Sequence, residues 1–232
     1  MHAKKSGFHQ TLPPKFNRSL ILIEAVHSER IRQLRLLLDA GVNVNCNDPE
    51  TGHTPLIRAM FIENSRQRRA IIKMLLRYGG RVEKTDREGR TAFAWACLLG
   101  RNDVIRFLFR EIHLNIGLNS VDSSGNDNLI LACASGNPAT VRLVAEAFRR
   151  VRLDMNRRNT NDENALMTAH RLRFYDCVKV LVEEFEGYIA TNMPKDFLYG
   201  ETRNTSSDGQ LDRWHRHSAS PCHRYSPCTA TI

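Results

Sequence analysis

The apolar positions of this chain return in one string, Leu-x-x-Ala. It stands at Leu22–Ala25, Leu56–Ala59, Leu129–Ala132 and Leu166–Ala169, with Phe93–Ala96 as a variant. Successive copies lie 34, 37, 36 and 37 residues apart. Self-similarity at such a period marks a repeat architecture, in which each unit is one supersecondary element. Taken alone, "TAFAWACLLG" (91–100) alternates Phe93, Trp95 and Cys97 like a half-buried strand. In register with the other four copies it predicts the start of a helix instead.

Other features keep the register. Two residues before four of the strings stand Thr54, Thr91, Asp127 and Asn164. A side-chain oxygen at the residue before a helix accepts a backbone N–H that otherwise has no partner. Pro55 follows at the first helical position, where its missing N–H costs nothing. A second apolar pattern comes next in each unit: Leu34, Leu37 and Leu38; Ile71, Ile72, Leu75 and Leu76; Val104, Ile105 and Leu108; Val141 and Val144; Val178 and Leu181. Spacings of three and four describe one helix face. Asn137-Pro138 reads as a cap and first residue, and Gly41 and Gly79 as left-handed stops. Polar segments ending near Gly follow: "NDPETGHT" (47–54), "TDREGRT" (85–91) and "VDSSGND" (121–127). Each unit therefore predicts helix, turn, helix and a short Gly-containing hairpin.

"GHTPLIRA" (52–59), "LLLDAGVNVNCND" (36–48) and "REGRTAFAWACLLGRNDVIRFL" (87–108) resemble the ankyrin repeat, with its Thr-Pro-Leu-His-x-Ala start. The resemblance covers residues 19–192 and implies an all-α ankyrin repeat solenoid. Its repeats fall at about 19–53, 54–90, 91–126, 127–163 and 164–192, between tails 1–18 and 193–232 expected to be disordered. The chain departs from the pattern at Ile57, Ala94, Ile130 and Met167, which replace the usual His. Only Gly100 and Gly136 keep the glycine of the helix–helix turn, and the first repeat has Leu20-Ile21 in place of Thr-Pro. Against the family's unit of roughly 33 residues, the first four units are longer by 1, 4, 3 and 4. Three or four residues make one helical turn. The extra turn is expected between the helices in the second unit (62–70), and as elongated second helices at 110–118 and 146–154.

The resemblance implies a concave surface that binds other proteins, but a fold does not fix its function. The register position before the repeated Ala, facing the concave side, holds Glu24, Arg58, Trp95, Leu131 and Thr168. Hairpin tips supply His53, Arg87, Glu88, Arg90, Asn126 and Glu163, and the late first helix supplies Phe61, Ile62, Leu98 and Leu99. The candidate partner-binding set is Trp95, Arg58, Arg87, Arg90, His53 and Phe61, because Trp and Arg dominate binding hot spots. Trp95 has two readings, a partner contact or packing against the next first helix, and both stay open at this point.

Composition narrows the class. The chain has 232 residues, 41% apolar and 25% charged, as a globular protein has. No apolar run approaches the 18 or so residues of a membrane helix, and "MHAKKSGFHQTLPPKF" is no secretory signal. Six cysteines without a Cys-x-x-Cys pair read as free thiols in a reducing compartment, cytoplasmic or nuclear. Cys97, Cys133 and Cys177 read as small core fillers, and Cys46 as an exposed hairpin thiol. Phosphate-loop, zincin, nucleophile-elbow and kinase motifs are missing, so no catalytic residue, cofactor or metal is assigned and a non-enzyme is expected. His215, His217, Cys222, His223 and Cys228 are zinc-ligand types, but their spacing matches no structural finger.

The net charge is +9, with +4 in residues 1–18 and +4 across 19–192. "SRQRR" (65–69) continues into Lys73 and Arg77, and "FRRVRLDMNRR" (148–158) holds five arginines. Such clusters read as solvated faces or as docking sites for acidic partners. No nucleic-acid-binding motif accompanies them. The expected function is a monomeric, non-enzymatic adaptor or scaffold binding one or more proteins through the concave face. The alternative is a basic regulator tethered to anionic lipid or nucleic acid through its arginine clusters and tails.

Overall fold

The computed structural model describes residues 18–111 and 116–186. Helices come in pairs: α1 (Arg18–His27) with α2 (Ile31–Asp39), α3 (Pro55–Ala59) with α4 (Ser65–Arg77), and α5 (Ala92–Leu98) with α6 (Asn102–Glu111). Then follow α7 (Asn128–Ala134) with α8 (Pro138–Val151), and α9 (Ala165–Arg171) with α10 (Tyr175–Lys179), which runs into a π-helical turn at Val180–Glu184. First helices pack on first helices (α1–α3–α5–α7–α9). Second helices form the other layer (α4–α6–α8 and the π-helical turn). A short helix pair cannot bury its own apolar stripe, so stacking units makes one continuous core. The fold is an all-α solenoid.

The core is made of the residues the periodicity marks. Leu22, Ala25, Leu56, Ala59, Phe93, Ala96, Leu129, Ala132, Leu166 and Ala169 are all buried, as are Leu34, Ile71, Ile72, Leu75, Ile105, Leu108, Val141 and Val144 from the second layer. Thr54 and Thr91 accept from the backbone N–H groups of Ile57 and Ala94, Asp127 from Leu129 and Ile130, and Asn164 from Met167. Asn137 caps α8 in the same way, with Pro138 next. Four helix–helix turns need a left-handed residue. Gly100 and Gly136 supply two (φ 64° and 69°), while Glu29 and Arg173 hold the other two at φ 56° and 61°. At Gly136 a Cβ would meet the Phe174 ring at 2.9 Å, so there the glycine also makes room.

Hairpins stack by backbone hydrogen bonds between units: Arg87 N–H to Thr51 O, Ser123 N–H to Glu88 O and Thr160 N–H to Ser124 O. Gly52 (φ 75°) permits the first of these, since a Cβ there would lie 2.8 Å from the Arg87 backbone nitrogen. Antiparallel bridges Thr85–Thr91 and Val121–Asp127 close the next two hairpins.

The inserted residues behave differently from unit to unit. α8 has 14 residues and is elongated, ending at Arg152 in the left-handed conformation. α6 ends at Glu111, and residues 112–115 lie outside the described residues. By Ile116 the chain has left the α-helix, so the elongated helix expected at 110–118 does not reach that residue, and the expected extra turn falls on 112–115. In the second unit the insertion is split. A connection at 60–64 leads to Asn64, whose side chain caps Arg66 and Gln67, and α4 is lengthened to 13 residues. α1 already includes Arg18, one residue inside the expected tail. The remaining tail expectations, with the His/Cys group near residue 222, fall outside the described residues.

One cap carries a pH-dependent prediction. Burial pushes the Asp127 carboxyl up to about 6, against the two backbone N–H groups that favour its charge. An unfolded Asp titrates near 3.9. The folded state therefore takes up its proton more readily, and ionisation costs stability as pH rises from about 4 through about 6. Asp127→Asn keeps an oxygen acceptor, as Asn164 does in the last unit, and removes the charge. The variant is expected to be more stable than the parent by about 2 kcal/mol near pH 7.5. The gap should close near pH 4 in denaturation curves. A variant less stable at neutral pH would mean that the charge strengthens the cap.

Candidate functional site

The six candidate residues come from three consecutive units. His53 precedes the cap of α3, Arg58 lies in its last turn and Phe61 follows its end; Arg87 and Arg90 belong to the next hairpin and Trp95 to α5. Five of them form one contact cluster. Phe61 lies 4.9 Å from Trp95 between ring centroids, His53 stands edge-on to Trp95 at 5.6 Å, and His53 stacks on Phe61 at 5.3 Å. The Arg90 guanidinium sits 5.0 Å from the Trp95 ring centroid and that of Arg58 5.8 Å from Phe61. Cations over aromatic faces are drawn by the ring quadrupole. Arg87 is tied to the preceding hairpin through the Pro49 carbonyl and is exposed.

Asp86 organises the cluster. Its Oδ1 accepts the Glu88 and Arg90 backbone N–H groups, which fixes the hairpin, and its Oδ2 accepts the Trp95 indole N–H at 2.6 Å. His53 Nε2 is 3.6 Å from the same oxygen. Burial lowers the His53 pKa from its ordinary value. The Asp86 carboxylate opposes that shift and the Arg58 cation adds to it. The ring is thus neutral at physiological pH.

This geometry corrects one expectation. Trp95 is 1% exposed and His53 7%, so neither presents a free surface. A buried indole N–H needs an acceptor, and Asp86 provides it from the hairpin nine residues upstream. Leu131 and Thr168, at the same register position, are buried too, whereas Glu24 is exposed and Arg58 half-buried. Phe61, Arg58 and Arg90 are half-buried and, with Arg87, form the accessible layer over a closed base.

Asp86 also belongs to a ladder that sequence reasoning missed. Asp48, Asp86, Asp122 and Asn159 recur at spacings of 38, 36 and 37. Each accepts backbone N–H groups of its own hairpin. The residue before each helix cap then reaches the next rung. His53 meets Asp86, Arg90 Nε donates to Asp122 at 3.2 Å, and Asn126 accepts from Asn159 at 2.7 Å. Glu163, in the last unit, turns back to Arg171. The recurring Asx five or four residues before the position ahead of the cap was the available signal.

Two further expectations change. Cys46 is 8% exposed, with its thiol toward the Ser19 carbonyl at 3.7 Å, so it is a buried filler and not an exposed thiol. Cys97, Cys133 and Cys177 are buried, and burial pushes all three thiols up. Arg68, in the middle of "SRQRR", is not part of a solvated face. It is 4% exposed, donating to Asp103 at 2.6 Å and to the Ile62 carbonyl at 2.5 Å. Among the described residues no group of three His, Cys, Asp or Glu side chains is placed to hold a metal. No helix there is long and apolar enough to cross a membrane.

The family model "Ankyrin repeats (3 copies)" matches residues 22–118. "Ankyrin repeat domain-containing protein 63" of Mus musculus is 30% identical over 161 residues, which is 68% of this chain and 40% of the relative. Inversin of Danio rerio is 37% identical over 75 residues, 32% of this chain and 7% of that one. The human "2-5A-dependent ribonuclease" is 35% identical over 80 residues, 34% of this chain and 10% of that one. The chain spans about two fifths of the length of the first relatives it matches. Ankyrin repeats are in general protein–protein interaction modules. Capped helix pairs in register, hairpins joined rung to rung and these matches lead to one conclusion: the chain belongs to the ankyrin repeat family.

Proposed function

We propose that the protein is a non-enzymatic adaptor that holds a partner protein on the accessible layer around Arg58, Phe61, Arg87 and Arg90. The observation that carries this reading is the layer's construction. Among the described residues Arg58 is not paired with a carboxylate; its guanidinium lies over Phe61 and within 3.0 Å of the exposed His27 ring. Among the described residues the Arg87 guanidinium is held by a backbone carbonyl of the preceding hairpin and by no carboxylate. Arg58 rests on an aromatic ring and Arg87 is tethered to a neighbouring hairpin, so their placement costs less entropy on binding. Rigid, half-covered aromatics ringed by arginines are the composition of binding hot spots. Acidic side chains on the partner suit the two arginines.

The test is capture from a cell extract with the parent protein and the Arg58→Ala/Arg87→Ala variant side by side. Partners retained by the parent are expected to fall at least about tenfold in the variant, since two hot-spot truncations together remove more than about 2 kcal/mol. Unchanged melting curves are expected alongside. A partner set held equally by both proteins would refute the reading.

A further inference from the structure

The outer layer carries a second surface that this reading does not use. α4 (Ser65–Arg77) contains five basic residues and no acidic one. Arg68 is consumed internally by Asp103. The remaining four, Arg66, Arg69, Lys73 and Arg77, are all exposed and recur at steps of three, four and four, which places them along one side of the helix. The neighbouring α6 adds exposed Arg106 and Arg110. None of these six takes part in an ion pair among the described residues. The exposed arginines of α8, by contrast, are matched: Arg142 by Glu184, and Arg149 and Arg150 by Glu146.

Between α4 and α6 lies an open groove of about 410 Å³, lined by Lys73, Leu76, Arg77, Phe107 and Glu111. The Lys73 ammonium stands 5.6 Å from the Phe107 ring centroid. Leu76 and Phe107 make an apolar floor beneath cationic walls, and among the described residues Glu111 is the one acid on its lining. A volume of this size accepts one or two side chains and falls within the range of about 300–1,000 Å³ common to ligand clefts.

We infer that the α4–α6 face docks an acidic segment of a partner protein, with an apolar side chain of that segment seated between Leu76 and Phe107 and its carboxylates on Lys73, Arg77 and Arg106. Charge complementarity selects the acidic partner, because six unmatched cations on adjacent helices raise the local potential and steer anions to the face. The groove selects a polypeptide. A bilayer surface meets rim cations without filling a cleft, whereas a peptide presents a side chain that does. This surface lies on second helices, apart from Arg58 and Arg87, so each proposal fails or stands without the other.

The probe is a fluorescein-labelled twelve-residue peptide of Asp and Glu with one central Leu, compared with the same peptide carrying Ser there. Both are titrated by anisotropy against the full chain at low salt. The Lys73→Glu/Arg106→Glu variant is expected to bind the Leu peptide at least about tenfold more weakly. A charge-matched control on the last unit, Arg173→Glu/Lys179→Glu, should change affinity less than about threefold. The Ser peptide should bind the parent several-fold more weakly than the Leu peptide. The single Arg110→Glu exchange should act in the same direction as the double variant, which guards against a fold effect. Equal losses in the two double variants would overturn the proposal, leaving diffuse charge as the cause. Equal affinity for the two peptides would remove the groove. Binding to phosphatidylserine vesicles that depends on Lys73 and Arg106, with no peptide binding, would make the face a membrane patch and also overturn it.

Discussion

Trp95→Ala is expected to lower the stability of the array by about 3–5 kcal/mol, the cost of truncating a fully buried large aromatic. The ring is 1% exposed and fills a junction between units, touching His53 and Phe61 on one side and carrying Arg90 on the other. Its removal opens a cavity and also frees the Asp86 Oδ2 atom that the indole N–H occupies. Asp86 then loses its tie to α5, and the hairpin that carries Arg87 and Arg90 loosens. Trp95→Phe separates the two effects. It keeps one aromatic ring, so the cavity is smaller, and deletes the N–H, so about 1–3 kcal/mol should be lost through the unsatisfied acceptor besides the reduced cavity cost. Urea denaturation followed by circular dichroism reads both values. If Trp95→Ala left stability within about 0.5 kcal/mol of the parent, as exposed positions do, the ring would not be structural.

Asp103→Ala carries the second large effect, about 3 kcal/mol, because it strands the Arg68 cation in the interior. Arg68 has little access to water, and its other contacts are the Ile62 and Glu63 carbonyls of the connection before α4. The pair therefore joins the long α3–α4 connection to the first turn of α6. Arg68→Met in the Asp103→Ala background removes the stranded charge and substitutes an adaptable apolar chain. The double variant should recover at least about 1 kcal/mol over Asp103→Ala alone, a coupling of the size that contacting residues show. Denaturant midpoints of the parent, both single variants and the double variant give the cycle. Strict additivity would mean that the two side chains do not depend on each other.

Much of the fold is readable from short-range chemistry. Thr54, Thr91, Asp127 and Asn164 announce helix starts because a cap is satisfied within three residues. The Leu-x-x-Ala register marks the core because a repeat reuses one packing solution. The candidate site was legible as a set: five of the six residues do meet. Their exposure was not legible. Whether Trp95 faces water depends on Asp86 and on two rings from the preceding units, contacts that no local pattern encodes. Arg68 misleads for the same reason. Its neighbours in "SRQRR" are solvated, and only a partner 35 residues later draws it inside. Cys46 looked like a hairpin thiol, yet the Ser19 end of α1 covers it. Insertion length was also ambiguous. Three or four extra residues lengthen α8 as one helix, whereas in the second unit they are split between the 60–64 connection and α4.

The central claim is that Trp95 and His53 are a closed base beneath an accessible layer of Arg58, Phe61, Arg87 and Arg90. The most direct measurement is iodide quenching of Trp95 fluorescence in a Trp214→Phe protein, where Trp95 is the one tryptophan left. Emission that resists iodide until urea unfolds the array is the predicted result. Emission quenched in the folded protein as readily as that of free tryptophan would contradict the account and return Trp95 to the surface.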